Sequence, residues 1–467
     1  MGWQRVLEMV TGLLLLRRLR DAVVAWAEAH DVDGVDFLTL YILVLFAIPA
    51  SLVAAPLGAA GTPAGMLALL GACCWFLDRI SRVDRPLARP HPVRTVGTLF
   101  VLGVLASYVA AMSRPITGTE LNSIHTALIM LCGWAGLVVI AADGVTSHDR
   151  ISLLVRRLAV GVGACATVGI IQFVTGQALT DRLSIPGLSV NTILPTVAPR
   201  DGFSRAIGTT INPIEFGVVM AAMLPLCVHV GLHGTGGLLR RWWPTVVVVL
   251  AVPFANSRSG FLALLAALVV IFPLWPAPVR LRACIVGAFG TVGLFLLVPG
   301  MLGTITSMFS GLSDDPTTTS RTGSYELGWA FIEHAPLFGR GFMTFLPPYR
   351  VIDNQYLGLL IDTGVVGTLA LVATFLTGIG VALTARRRTA SAELRSLAGA
   401  LAAGISGLTL SYAFFDALTF PTAAAVTALS LGLVDALWRI VRAEHFQAPT
   451  TEPARAVVVA GDGLRGP

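Results

Sequence analysis

The sequence predicts an all-α, polytopic integral membrane protein with about 12 transmembrane helices, on three observations. The chain of 467 residues is 55% hydrophobic and only 12% charged, with a mean hydropathy of +0.79. That is too little charge to cover a soluble surface of this size. Its apolar residues come in long blocks, and a bilayer core takes ~20 apolar residues per helix, each helix satisfying its own backbone hydrogen bonds. All 32 basic residues are arginine, and they cluster in every second loop, as the bias toward cytoplasmic positive charge requires.

The elements follow in order. The N-terminal segment 1–36 carries Arg5, Arg17, Arg18 and Arg20. Its apolar core, Leu13 to Leu16, is too short for a cleavable signal, and 5–26 reads as an amphipathic helix on the cytoplasmic membrane surface. Spans are expected near 37–56, 64–77, 95–112, 122–142, 154–175, 210–231, 243–257, 260–276, 283–299, 354–383, 396–415 and 421–438. Arg79 to Arg94, Arg150 to Arg157, Arg240 and Arg241, Arg280 and Arg282, Arg386 to Arg395, and Arg439 onward mark the cytoplasmic side. Their alternation requires an even number of spans with both ends inside. The expected division is therefore 1–36, a cytoplasmic segment; 37–299, helices 1–9 with an outer loop at 176–209; 300–353, a large extracytoplasmic loop; 354–440, helices 10–12; and 441–467, a disordered cytoplasmic tail.

Within the large loop the pattern turns helical from Ser320. Tyr325, Gly328, Trp329 and Ile332 fall on one face of an amphipathic helix, with Arg321 one turn earlier. Loops this long are uncommon unless functional or disordered.

The net charge of +6 and pI of about 9.3 are explained by topology, so no nucleic-acid partner is expected. The six cysteines all lie in apolar blocks and read as packing residues, with neither disulfide nor metal-ligand spacing. No Walker motif, Cys/His metal cluster or nucleophile elbow occurs, so no cofactor is expected.

The outer side instead offers arginines that break the charge bias: Arg114, Arg182, Arg200, Arg205, Arg258, Arg321, Arg340 and Arg350. For Arg114, Arg182 and Arg350 the ordinary reading, loop solubility, is favoured. Arg205, Arg258 and Arg321 are the candidates for holding phosphate, which the planar guanidinium matches bidentately. Snorkelling is the ordinary alternative for Arg258, in the tight turn Asn256-Ser257-Arg258-Ser259-Gly260. Arg205 precedes the helix start Asn212-Pro213, where free N–H groups also favour anions. Candidate bases are few: His125 and His334, Asp353 at membrane re-entry, Asp362 deeper in the same helix, and Glu215 in the first turns of its span. Packing against a polar partner is at least as good a reading for Asp362 and Glu215. Such a set can hold a diphosphate while a carboxylate takes a proton from an acceptor hydroxyl, with positioning and charge stabilisation carrying the rate.

Three segments resemble the O-antigen ligase and O-antigen polymerase family of membrane glycosyltransferases. They are Arg205-Ala-Ile-Gly208 with Asn212-Pro213 and Phe216-Gly217; Ser257-Arg258-Ser259-Gly260-Phe261; and Arg321, Trp329, His334-Ala-Pro336-Leu-Phe-Gly339-Arg-Gly341, Asp353-Asn354-Gln-Tyr356-Leu357 and Asp362-Thr-Gly364-Val-Val-Gly367. The likeness covers the second half of the chain, and the first 170 residues only by topology. It implies a GT-C-like fold and transfer of a glycan from a polyprenyl diphosphate carrier to a glycan or lipid acceptor, in the cell membrane, on its outer face and without metal. It further implies that Arg205, Arg258 and Arg321 bind the diphosphate, that Asp353 and Arg321 are catalytic, and that Asn354, Tyr356, Glu215, His334 and Asp362 support them. Where the family's ligases carry His-Asn, this chain carries Asp353-Asn354, and ligase and polymerase both stay open.

The rival class is a polytopic transporter or flippase of lipid-linked sugars. It predicts internal repeats and broken helices around a mid-membrane site. The sequence shows no clear repeat between its halves.

Overall fold

The computed structural model describes residues 33–81, 91–191, 204–310 and 316–447. The expected N-terminal surface helix, Arg200, and most of the C-terminal tail lie outside them.

The chain is an all-α, multi-pass membrane protein. Its helices are α1 Gly34–Ala47, α2 Pro63–Ser81, α3 Pro92–Met112, α4 Gly118–Gly144, α5 His148–Thr175, α6 Pro213–His233, α7 Leu238–Phe254, α8 Arg258–Ile271, α9 Ala277–Leu297, α10 Met301–Ser310, α11 Pro316–His334, α12 Gln355–Arg388, α13 Ala392–Ser411 and α14 Pro421–Gln447. Among the described residues, nine of these are long and apolar enough to cross a membrane, and Gly34–Ala47 and Arg258–Leu274 are shorter apolar helices. The only sheet among them is a two-residue antiparallel pair, Leu52–Val53 with Ser189–Val190.

Short polar side chains start these helices. Asp33, Thr117, Ser147, Asn212, Ser257, Asn354 and Ser391 each accept a hydrogen bond from a first-turn N–H, satisfying donors that the helix leaves unpaired. α6, α13 and α14 form the buried centre of the bundle, with 83%, 72% and 89% of their apolar windows enclosed. Small residues let them approach: a Cβ on Gly404 of α13 would sit 2.6 Å from the Ala222 carbonyl of α6. α9, in contrast, buries no residue.

Polar contacts sort the bundle into two ends. At one end, Arg386 of α12 donates to the Leu274 carbonyl (2.7 Å), Arg94 to Asp143 (3.1 Å), Arg150 to Asp36 (3.0 Å), and Arg439 to the carbonyl ends of α4. The other end carries the 205–212 segment, the start of α8, the 335–354 loop and the 412–420 connection between α13 and α14.

Several expectations need correction. The large loop holds two helices, and α11 begins at Pro316 rather than Ser320. Its expected face divides: Ile332 packs in a cluster with Leu357 and Ile361 of α12, and Gly328 lies against the same two residues, whereas Tyr325 and Trp329 stay exposed. α14 continues to Gln447, past the point where a disordered tail was expected, because Ile440 and Val441 are buried.

α12 is broken at Gly364, whose φ of 64° and ψ of −167° suit glycine alone. The Pro336–Gly341 loop fills the break. Val365 N–H donates to the Pro336 carbonyl (2.9 Å) and Val366 N–H to Leu337 (3.2 Å). In the opposite sense Arg340 N–H donates to Ile361 (3.0 Å) and Gly341 N–H to Asp362 (2.9 Å). Backbone groups freed by a break in a membrane helix must find such partners.

Candidate functional site

The site residues gather around the 412–420 connection. Gln355 N–H donates to the Tyr412 carbonyl (2.8 Å), and Leu418 N–H donates to the Gln355 side chain (2.7 Å), fastening the start of α12 to that connection. Asp353 therefore stands beside it. Ser259 Oγ reaches the Phe414 carbonyl at 3.4 Å, which brings the N-terminus of α8, and with it Arg258, to the same place. Arg205 joins through its Nε, which donates to the Ala255 carbonyl (3.1 Å), and through Ala206 N–H, which donates to Phe254 (2.9 Å). Arg205 and Arg258 are both half-buried.

Asn354 caps α12 by accepting from Tyr356 and Leu357 N–H, and its Nδ2 lies 3.4 Å from the Tyr325 hydroxyl of α11. Arg321 is one turn before Tyr325 in the same helix, and its side chain lies outside the described residues. Tyr356 donates its hydroxyl to the Thr409 carbonyl (2.7 Å), bracing α12 against α13.

One residue here escaped the sequence reading. Asp416 is half-buried in the 412–420 connection and accepts from Thr419 Oγ1 at 2.7 Å. Burial pushes its carboxyl up to about 6, and the charge of nearby Asp353 acts in the same direction. Its sequence signal was weak: one acid in a short connection between two apolar spans.

The three supporting candidates Asp362, Glu215 and His334 each have partners within the fold. Asp362 accepts from Met343 N–H (2.9 Å) and Phe345 N–H (3.0 Å), clamping the 341–346 loop to α12. Glu215, fully buried, accepts from Ile211, Thr422 and Ala423 N–H at 2.9, 2.7 and 3.1 Å, tying α6 to the start of α14. His334 is exposed and bonds the Ala330 carbonyl of its own helix (2.6 Å). It lies nine residues beyond Tyr325, about 13 Å along the helix.

Arg114 proves to be more than a soluble loop residue. It and Arg340 both pair with Glu120, which is 1% exposed. Arg340 also stacks between Phe331 and Tyr349, 4.8 Å from each ring. Arg182 is exposed and bonds Gln177.

Residues 243–372 match the family model described as O-antigen ligase. That stretch, under a third of the chain, is what is similar to the family. The match bears out the resemblance to the O-antigen ligase and polymerase family and supports a role of that type in surface polysaccharide assembly. No curated protein matches the chain. The matched stretch includes Arg258, Arg321, Asp353 and the break at Gly364, while Arg205, Glu215 and Asp416 lie outside it. Within it, the His334–Gly341 and Asp362–Gly367 motifs are partners: one is the loop that fills the break in the other.

Proposed function

We propose that the protein is a glycosyltransferase that moves a glycan from a polyprenyl diphosphate carrier to a glycan or lipid acceptor, working at the extracytoplasmic face without metal. One observation carries the reading. Arg205, Arg258, Asp353 and Asp416, from four separate stretches of chain, all stand on segments tied to one another at the end of the bundle opposite the arginine-rich loops, and the arginine-rich end is read as cytoplasmic.

Arg205 and Arg258, with Arg321 from α11, hold the diphosphate oxygens through charge-assisted hydrogen bonds. Asp353 takes the proton of the acceptor hydroxyl as its oxygen attacks the anomeric carbon. The bond from that carbon to the diphosphate oxygen breaks, and the lipid diphosphate leaves with the electron pair, its charge held by the arginines. Asp416 stands beside the base and raises the local negative potential. Ligase and polymerase differ only in the acceptor, so both remain within this reading.

The broken α12 is the one feature that favours a transporter. Its gap, however, is closed by the chain's own loop. The part after Gly364, to Arg388, is itself about 36 Å long at 1.5 Å per residue, enough to cross a ~30 Å core. The break therefore lies toward one membrane surface, away from the middle.

Purified protein in lipid, given a polyprenyl diphosphate-linked glycan with chelator present, tests the proposal. Release of lipid diphosphate is expected from the wild type. Asp353→Asn should lower it by roughly 10²–10⁴-fold, the usual worth of a general base, and Arg321→Ala and Arg258→Lys should also reduce it. Ladders of longer lipid-linked glycan mean a polymerase, and single transfer to another acceptor a ligase. No turnover with any donor, together with movement of the lipid between leaflets, would replace the enzyme by a flippase.

A further inference from the structure

A second lipid-shaped feature lies at the arginine-rich end, remote from the transferase site. α5 forms the floor of a groove of about 700 Å³, with α1 as one wall and the end of α6 and the start of α7 as the other. The walls stand close to the floor because α5 carries glycines at its contacts. A Cβ on Gly161 would meet the Phe46 ring of α1 at 2.8 Å, and one on Gly163 would meet the Trp243 ring of α7 at 2.9 Å. Two residues apart is about 200° around a helix, so α1 and α7 flank α5 on opposite sides and leave a strip between them.

The strip is divided in chemistry. Its inner part is apolar, lined by Ile42, Leu43 and Phe46 from α1 and Val160 and Ala164 from α5. Leu43 is 61% and Val160 49% exposed, open to whatever fills the groove. Its mouth carries four arginines, Arg156, Arg157, Arg240 and Arg241. Arg157 is balanced by Asp36 at 3.3 Å. The others bond neutral oxygens where they bond at all: Arg156 the Thr235 hydroxyl and the Ser152 carbonyl (3.2 Å), and Arg241 the Gly234 carbonyl (3.2 Å). Among the described residues no carboxylate pairs with Arg156, Arg240 or Arg241. Asp36 is also engaged by Arg150, while Asp149 and Glu393 line the neighbouring cavity, which Arg156 borders as well, and Glu393 is engaged by Ser152 and His148. From Arg157 to Ala164 the floor runs about 10 Å, so the cations sit above apolar wall that lies along the upper part of an acyl chain.

We propose that this groove holds an anionic glycerophospholipid, its phosphate among Arg156, Arg240 and Arg241 and an acyl chain along Ile42, Phe46, Val160 and Ala164. The charge identifies the occupant: basic pockets between membrane helices recognise phosphate head groups, and the apolar floor demands a chain attached to one. The inference needs only that the chain spans a membrane and is independent of the transferase reading.

The test is native mass spectrometry of the full-length protein released from bilayers of equal phosphatidylglycerol and phosphatidylcholine with identical chains. Preferential retention of phosphatidylglycerol is expected. Arg240→Gln with Arg241→Gln should weaken it by about thirtyfold, at roughly one surface-arginine increment each, and Lys at both positions should restore most of it. Ala164→Phe, filling the exposed floor without changing charge, should remove the bound lipid, while an unchanged thermal midpoint in each variant certifies folding. Equal retention of both lipids, or retention untouched by the charge and floor variants, overturns the proposal. Displacement by glycerol phosphate alone also overturns it, because the site would then serve a soluble anion.

Discussion

At Asp416 two effects act in the same direction. Burial disfavours its charge, the Thr419 hydroxyl offsets part of that, and Asp353 adds a like charge nearby, so the carboxyl is pushed up to about 6 against an ordinary 3.8. The sign for stability follows. Between these two values the folded chain holds a proton that the unfolded chain has lost, so stability falls as pH rises through that window and levels off above about 6. Thermal midpoints measured from pH 4 to pH 7 should therefore decline in the wild type relative to Asp416→Asn. The same variant should lose the limb near pH 6 from the pH profile of glycan transfer. Parallel profiles in both proteins would remove Asp416 from the site. Asp353, as the proposed base, should behave differently, its replacement lowering turnover at every pH.

At the scale of the element, α12 and the loop inserted into it form one unit. The break at Gly364 is held by four backbone hydrogen bonds and by the Asp362 clamp on Met343 and Phe345. Gly364 combines a positive φ with a fully extended ψ, and a Cβ there would overlap the Leu337 backbone. Gly364→Ala should thus cost at least the ~1–3 kcal/mol of such backbone strain, together with the displacement of Leu337. The expected outcome is a clear fall in the thermal midpoint and faster proteolysis between α11 and α12. An alanine variant with wild-type midpoint and cleavage would mean that the loop does not occupy the break.

For the whole molecule, the bundle is organised around the buried α6, α13 and α14, and Glu215 links the first of these to the last. Glu215→Ala would leave the Ile211, Thr422 and Ala423 N–H groups without their acceptor. Each unsatisfied buried donor costs about 1–3 kcal/mol. The variant should unfold at markedly lower temperature in detergent, and Glu215→Gln, which keeps an acceptor oxygen, should recover part of the loss. A midpoint unchanged by Glu215→Ala would show that the two helices are held by packing alone.

Much of this architecture was legible along the chain. Apolar blocks, arginine alternation and the helix start at Asn212-Pro213 are local signals, and α6 begins where Asn212 caps it. The candidate phosphate-binding arginines were legible too, since a cation on the wrong side of a charge bias needs a reason. Roles that depend on a partner far away in sequence were not legible. Nothing local placed Glu215 against Thr422 or Asp362 against Met343. Arg114 read as a loop residue until Glu120 and Arg340 closed around it. Asp416 had no pattern to mark it, because its altered acidity comes from burial and from Asp353, 63 positions earlier in the chain. By itself the sequence determined that the chain is helical, membrane-spanning and polar at both ends, because hydropathy, charge bias and helix capping act over a few residues. Only the tertiary structure decided which polar groups meet, because a buried carboxylate takes its role from whatever the fold places within about 3 Å of it.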